Sequence, residues 1–172
     1  LLNKPKDFIT TTSDEKDRRT VMQLIRRATT ERVYPVGRLD RATTGLLLFT
    51  NDGELANKLT HPSGRIEKVY QAKLDRGISK ADMEKIAEGF ELEDGFIKVD
   101  EIAMPDPGDK TIVGVALHSG RNRIVRRLFE HFGYKVKKLD RVVFAGLTKK
   151  NLPRGKWRFL GEKEVIRLKH FS

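Results

Sequence analysis

Gly37-Arg38-Leu39-Asp40-Arg41-Ala42-Thr43-Thr44-Gly45-Leu46-Leu47-Leu48-Phe49-Thr50-Asn51-Asp52-Gly53 sets a single carboxylate, Asp40, between two arginines and directly ahead of an apolar strand. Most loop aspartates satisfy backbone donors of their own turn, and Asp40 alone would be read that way. Its neighbours argue otherwise. Gly37 and Gly45 let other backbone approach closely, and Arg38 and Arg41 have the fork geometry that holds phosphate. Asp40 is then the one negative group in a segment suited to anions. No second carboxylate stands close by in sequence, because Asp52 is placed to cap a helix over 53–60. That argues against a paired-carboxylate glycosidase.

The surrounding chain carries the same sign. Among 172 residues, 35 Lys and Arg face 24 Asp and Glu, a net charge of +11, and the excess is clustered. Arg121, Arg123, Arg126, Arg127, Lys135, Lys137, Lys138 and Arg141 are opposed between His118 and Arg141 only by Glu130 and Asp140. Lys149, Lys150, Arg154, Lys156 and Arg158 form a second group, whereas 84–101 is acid-rich. Clustered cations point to a nucleic-acid partner rather than to solubility charge alone. No basic helix exposes bulky apolar residues, so a membrane surface is not the expected partner. The longest apolar run, Leu46–Phe49, is far too short to cross a bilayer. With no cysteine there is no disulfide framework or thiolate zinc site, and four scattered histidines make no metal constellation. The N-terminus has no signal-peptide pattern, so a cytoplasmic protein is expected. The chain opens without Met on what reads as a strand, which suggests a fragment lacking an upstream part.

Periodicity outlines the elements. Val21, Leu24, Ile25 and Ala28 predict an amphipathic helix over 17–28, and Val125, Leu128, Phe129 and Phe132 another that closes at Gly133. A helix over 53–60 ends before Pro62, and Ser79 opens one that stops at Gly89. Strands are expected at 46–50, 69–74, 96–104, 111–117, 142–145 and 157–160, with Pro105-Asp106-Pro107-Gly108 as a turn. Strands outnumber helices and many are joined by turns. The expected class is α+β: a mixed, largely antiparallel central sheet with flanking helices.

Five segments together resemble the motifs of the RsuA-type pseudouridine synthases, the branch with RluB, RluE and RluF. They are Leu2-Asn3-Lys4-Pro5-Lys6 with Thr10-Thr11, then Val36 to Asp40 with Thr44 to Leu47 and Thr50 to Leu55. Glu67-Lys68-Val69-Tyr70, Gly120 to Arg127 with Phe132-Gly133-Tyr134, and Leu139-Asp140-Arg141-Val142 complete the set. Their order is what makes the match specific.

The resemblance implies a ribosomal RNA pseudouridine synthase with that family's fold. Asp40 would promote cleavage of the uridine N1–C1′ bond, after which the base rotates and rejoins through C5. Tyr70 would stack on the target base, Arg126 would pair with Asp40, and Leu139 would wall the nucleotide. The family needs no cofactor and no metal. Arg126 lies about 100° around its helix from Val125, so it flanks the buried face and can reach a pocket. Arg38 is a candidate to fill the gap left by a flipped base. Lys68, Arg121, Arg123 and Arg127 are candidate RNA contacts. The family carries a small S4-like RNA-binding domain ahead of the catalytic one, so residues 1–172 are expected to be the catalytic domain alone, a monomer acting on large-subunit RNA. The alternative is a catalytically silent RNA-binding or ribosome-assembly module of the same fold.

Overall fold

A computed structural model describes residues 1–12, 19–62 and 64–170. Its central sheet runs in the spatial order β1 (Leu2–Lys4), β3 (Thr44–Leu47), β10 (Val136–Phe144), β5 (Lys68–Leu74), β9 (Ile112–Leu117), β8 (Glu101–Ala103), with β11 (Leu147–Thr148) also paired to β10. All neighbours are antiparallel except β3 and β10, which run parallel over Asp140↔Thr44 and Arg141↔Gly45. Two small pairs stand apart: β2 (Tyr34–Pro35) with β4 (Phe49–Thr50), and the hairpin β6 (Phe90–Leu92) with β7 (Gly95–Ile97). The class is α+β with a mixed, largely antiparallel sheet.

The short parallel contact depends on one residue. Gly45 has φ +114°, and a Cβ there would lie 2.2 Å from the Arg141 carbonyl oxygen. Only a glycine lets β3 come this close to β10, and that approach carries the Asp40 turn onto the sheet's centre.

Helices cover the sheet where their stripes demand it. α4 (Ile124–His131) buries Val125, Leu128 and Phe129, and α3 (Lys80–Glu88) buries Ile86, in one core with Ala72, Val115 and Leu139. Gly133, at φ +83°, ends α4 as its stripe predicts, with the Tyr134 N–H turned back to the Phe129 carbonyl. A second core joins Leu55 and Leu59 of α2 (Gly53–Thr60) to Leu168 of α5 (Glu162–Lys169) and Phe144. A third, smaller one joins Leu2, Leu39 and Leu47 to Val21 of α1 (Val21–Leu24). Tyr70 packs against the first core and the third.

Several elements differ from the sequence expectation. Within the described residues the first helix is one turn, 21–24, and its expected start at 17–18 lies outside them. The strand expected over 96–104 is a hairpin strand, 95–97, followed by β8. β10 starts at Val136, six residues before the expected 142, and its register against β5 shifts at two places, between Val136 and Lys138 and between Arg141 and Val143. The segment 157–160 makes one bridge, Leu2↔Trp157, rather than a strand. The segment 152–158 nonetheless holds β1: Asn3 N–H donates to the Lys156 carbonyl at 2.9 Å, and Gly155 N–H to the Asn3 carbonyl at 2.7 Å. Among the described residues no helix is long and apolar enough to cross a membrane.

Candidate active site

The Asp40 turn rests on a buried lysine. Lys4 is fully buried, and its Nζ donates to the carbonyls of Thr43 (2.7 Å), Pro5 (3.1 Å) and Arg41 (3.3 Å). Burial pushes this amine down to about 8, opposed by the negative charge of Asp40. From the other side Thr10 Oγ1 holds the residue before the aspartate, accepting from Leu39 N–H at 3.2 Å and donating to its carbonyl at 2.9 Å. Thr43 N–H closes the turn onto the Asp40 carbonyl at 3.0 Å. The turn is therefore fixed from three directions before the carboxylate is considered.

Two arginines from the start of α4 reach that carboxylate. Arg123 Nη1 donates to Asp40 Oδ2 at 2.9 Å. Arg126 Nε faces the same oxygen at 3.4 Å, an ion pair whose geometry falls short of a hydrogen bond, while its Nη2 donates to Thr43 Oγ1 at 3.1 Å. Burial lowers the Arg126 guanidinium from its ordinary range and Asp40 counteracts it. Asp40 Oδ1 has no partner among the described residues. Arg123 holds its place from a left-handed backbone, φ +52°, at the N-cap of α4. Such a conformation in a non-glycine residue marks a site that the surroundings impose.

A cavity of about 500 Å³ opens in front of Asp40, lined by residues of all three cores. Tyr70 and Leu139 form part of its wall, and the Tyr70 hydroxyl has no hydrogen-bond partner among the described residues. Tyr70 is directly opposite Arg141 across the β5–β10 pair. The size suits a nucleotide, and an aromatic face, an apolar wall and a half-engaged carboxylate suit a flipped base.

The structure brings Asp40, Tyr70, Arg126, Leu139, Arg38, Lys68, Arg121 and Arg123 to this cavity, and Arg127 to its outside. Arg38 is exposed at the rim. Lys68 is inside the cavity rather than on the outer surface, its Nζ donating to the Ser119 carbonyl at 3.3 Å. Arg121 and Arg127 are bound to the β6–β7 hairpin. Arg127 grips Asp94 with both Nη atoms, at 3.0 and 3.1 Å, and Arg121 donates to Asp94 and to the carbonyls of Gly95 and Phe96. Both were candidate RNA contacts by sequence, and the structure shows that they also anchor the hairpin through Asp94. Sequence reasoning gave Arg123 to the RNA, yet it is the hydrogen-bonded partner of Asp40. Only its position three residues from Arg126, one helical turn away, hinted at that. Among the described residues no group of three His, Cys, Asp or Glu side chains is placed to hold a metal ion.

The sequence profile of RNA pseudouridylate synthases matches residues 1–131. A half-engaged aspartate facing an aromatic across a nucleotide-sized cavity fits that match, and the chain belongs to the RNA pseudouridylate synthase family. It is 41% identical over 172 residues to a ribosomal large subunit pseudouridine synthase B of Bacillus subtilis (strain 168), covering 98% of this chain and 70% of the relative. To an uncharacterized RNA pseudouridine synthase of Aquifex aeolicus (strain VF5) it is 39% identical over 169 residues, covering 98% and 68%. A crystal structure of a pseudouridylate synthase superposes with a TM-score of 0.84 at 28% identity, over 97% of this chain and 71% of the other. The fold also matches a chain of the archaeal box H/ACA sRNP Nop10–Cbf5 complex, with a TM-score of 0.64 at 18% identity, over 90% of this chain and 50% of that one.

Proposed function

We propose that this protein isomerises a uridine of large-subunit ribosomal RNA to pseudouridine, with Asp40 as the reacting carboxylate. The observation that carries the reading is the asymmetry of Asp40. Both arginines converge on Oδ2, which orients the group, and Oδ1 is left to meet the substrate. Large-subunit RNA is favoured by the similarity to the Bacillus subtilis ribosomal large subunit pseudouridine synthase B.

Uracil in a helical stack cannot reach Asp40, so the nucleotide must turn out into the cavity. Unstacking costs a few kcal/mol, which stacking on Tyr70 and contacts to the strand offset. Leu139 walls the cavity and keeps the base from sliding toward β10. Arg126, tied to both Asp40 and Thr43, fixes the carboxylate relative to its own turn. Arg38, exposed beside the turn, is placed to fill the stack the base leaves. The protein works as a monomer in the cytoplasm, where the ribosomal RNA is.

The test is a pseudouridine map of ribosomal RNA from cells lacking the protein. One large-subunit position is expected to lose its modification and to regain it with the wild-type gene but not with Asp40→Asn. An unchanged map would sink the assignment, and a loss confined to small-subunit RNA would overturn the choice of subunit.

A further inference from the structure

Among the described residues seven basic side chains line the cavity, and only one acidic side chain, Asp40, does so. Most of the cations are accounted for. Arg123 and Arg126 face Asp40, Arg121 faces Asp94, and Arg41 stands 3.8 Å from Asp7. Arg38 is exposed at the rim. Two remain, Lys68 and Arg141, and neither has a carboxylate partner among the described residues.

These two are the inner ones. Arg141 is 3% exposed; its Nε donates to the Leu46 carbonyl at 2.9 Å and its guanidinium stacks on Phe144 at 4.5 Å. Its Nη2 is sealed from solvent with no hydrogen-bond partner among the described residues. A buried guanidinium donor left unpaired is costly, and natural sites tolerate it where a ligand supplies the acceptor. Lys68, on the same face of β5 as Tyr70, has only the Ser119 carbonyl as a hydrogen-bond partner among the described residues. Burial, reinforced by the charge of Arg141, pushes its amine down to about 8. The Ser119–Asn122 loop above Lys68 leads into α4, whose first turn carries no acidic residue and no side-chain cap. A helix start left in this state favours an anion.

We propose that Lys68, Arg141 and the 119–122 loop form an anion subsite that takes a backbone phosphate of the flipped uridine. The proposal rests on the reading of this cavity as the uridine pocket. It adds a second hold on the nucleotide, on its phosphate rather than its base, with Asp40 and Tyr70 left to the ring and sugar. A phosphate there brings charge to two cations that the fold leaves unmatched, and gives the inner wall of the cavity a reason to be basic.

Binding without turnover tests it. Isotope-labelled protein is titrated with uridine, uridine 3′-monophosphate, uridine 5′-monophosphate and inorganic phosphate, and the amide signals of 119–122 are followed. At least one monophosphate is expected to bind about tenfold more tightly than uridine and to move those amides. Lys68→Met is expected to abolish that advantage while leaving uridine affinity unchanged. Equal affinity for uridine and both monophosphates overturns the proposal, as does an advantage that survives in Lys68→Met. Inorganic phosphate binding as tightly as the monophosphates overturns the strand assignment and leaves a free-anion site. Arg141→Lys, which keeps the charge in a buried position, is expected to weaken the monophosphate less than Lys68→Met. Wild-type protein that binds as expected but forms no pseudouridine in ribosomal RNA breaks the functional reading and leaves the subsite standing.

Discussion

The stretch from Arg121 to Arg127 supplies two arginines to each of two aspartates, and the two ends of that service differ. At Asp94 both oxygens are taken: Oδ1 by Arg121 and Arg127, Oδ2 by Arg127. The hydrogen bonds from Arg127, ahead of the surrounding charges, hold that carboxyl below its usual range. At Asp40 both arginines meet one oxygen and the other is unengaged. Asp140 repeats the Asp94 pattern: Oδ1 accepts from Thr44 and Arg154, and Oδ2 from Lys149. Burial would raise the Asp140 carboxyl, yet these bonds outweigh it and hold it low. A carboxylate with both oxygens satisfied is a fastener. One with an oxygen to spare can meet a substrate. The number of arginines nearby does not separate the two.

The sharpest way to break this comparison is Asp40→Asn, which keeps the shape and removes the charge. Pseudouridine formation in a ribosomal RNA transcript is expected to disappear while RNA affinity stays within a few-fold; residual turnover near wild type would end the argument. Arg126→Met should come next. Loss of a preorganised charged partner lowers turnover on the order of a hundredfold with KM little changed, and a rise in KM alone would make Arg126 a binding residue instead. Lys4→Met strips three carbonyls of their donor, and a buried unsatisfied group costs about 1–3 kcal/mol. Urea denaturation should show a loss of at least that size, and an unchanged midpoint would mean the turn stands without Lys4. The smallest effect belongs to Asp94→Asn. Exposed ion pairs contribute little, so kcat/KM should stay within about threefold of wild type while amides of 90–97 exchange faster. A collapse of activity there would erase the distinction between the two aspartates.

Much of the fold was legible because burial and period agree. The stripe Val125, Leu128, Phe129 predicted α4, and Ser79, whose Oγ accepts from Asp82 N–H, marked the start of α3. Where burial is one-sided or interrupted, the reading failed. α5 buries only Leu168 and exposes Ile166, so no apolar face announces it. β10 was shortened because Lys137, Lys138 and Asp140 look like a loop, although they sit on a strand that pairs on both sides. Gly95, at φ +123°, is the residue that could have split 90–97 into a hairpin. At the site, the sequence order of motifs singled out Asp40, Tyr70, Arg126 and Leu139, but not how the arginines divide. That division depends on the left-handed backbone of Arg123 and on the position of Asp94, neither of which has a periodic signature.

The strand that carries Lys4 is closed by residues near the other end of the chain. Asn3 Nδ2 donates to the Leu152 carbonyl, 149 positions away, and Gly155 N–H donates to the Asn3 carbonyl. Contacts so distant in sequence form late and slow the search for the native state. During synthesis the earlier residues emerge first, so the turn bearing Asp40 waits for 152–156 before its support is finished. A nascent chain can therefore expose much of the basic surface before 152–156 complete the support of the turn that bears Asp40.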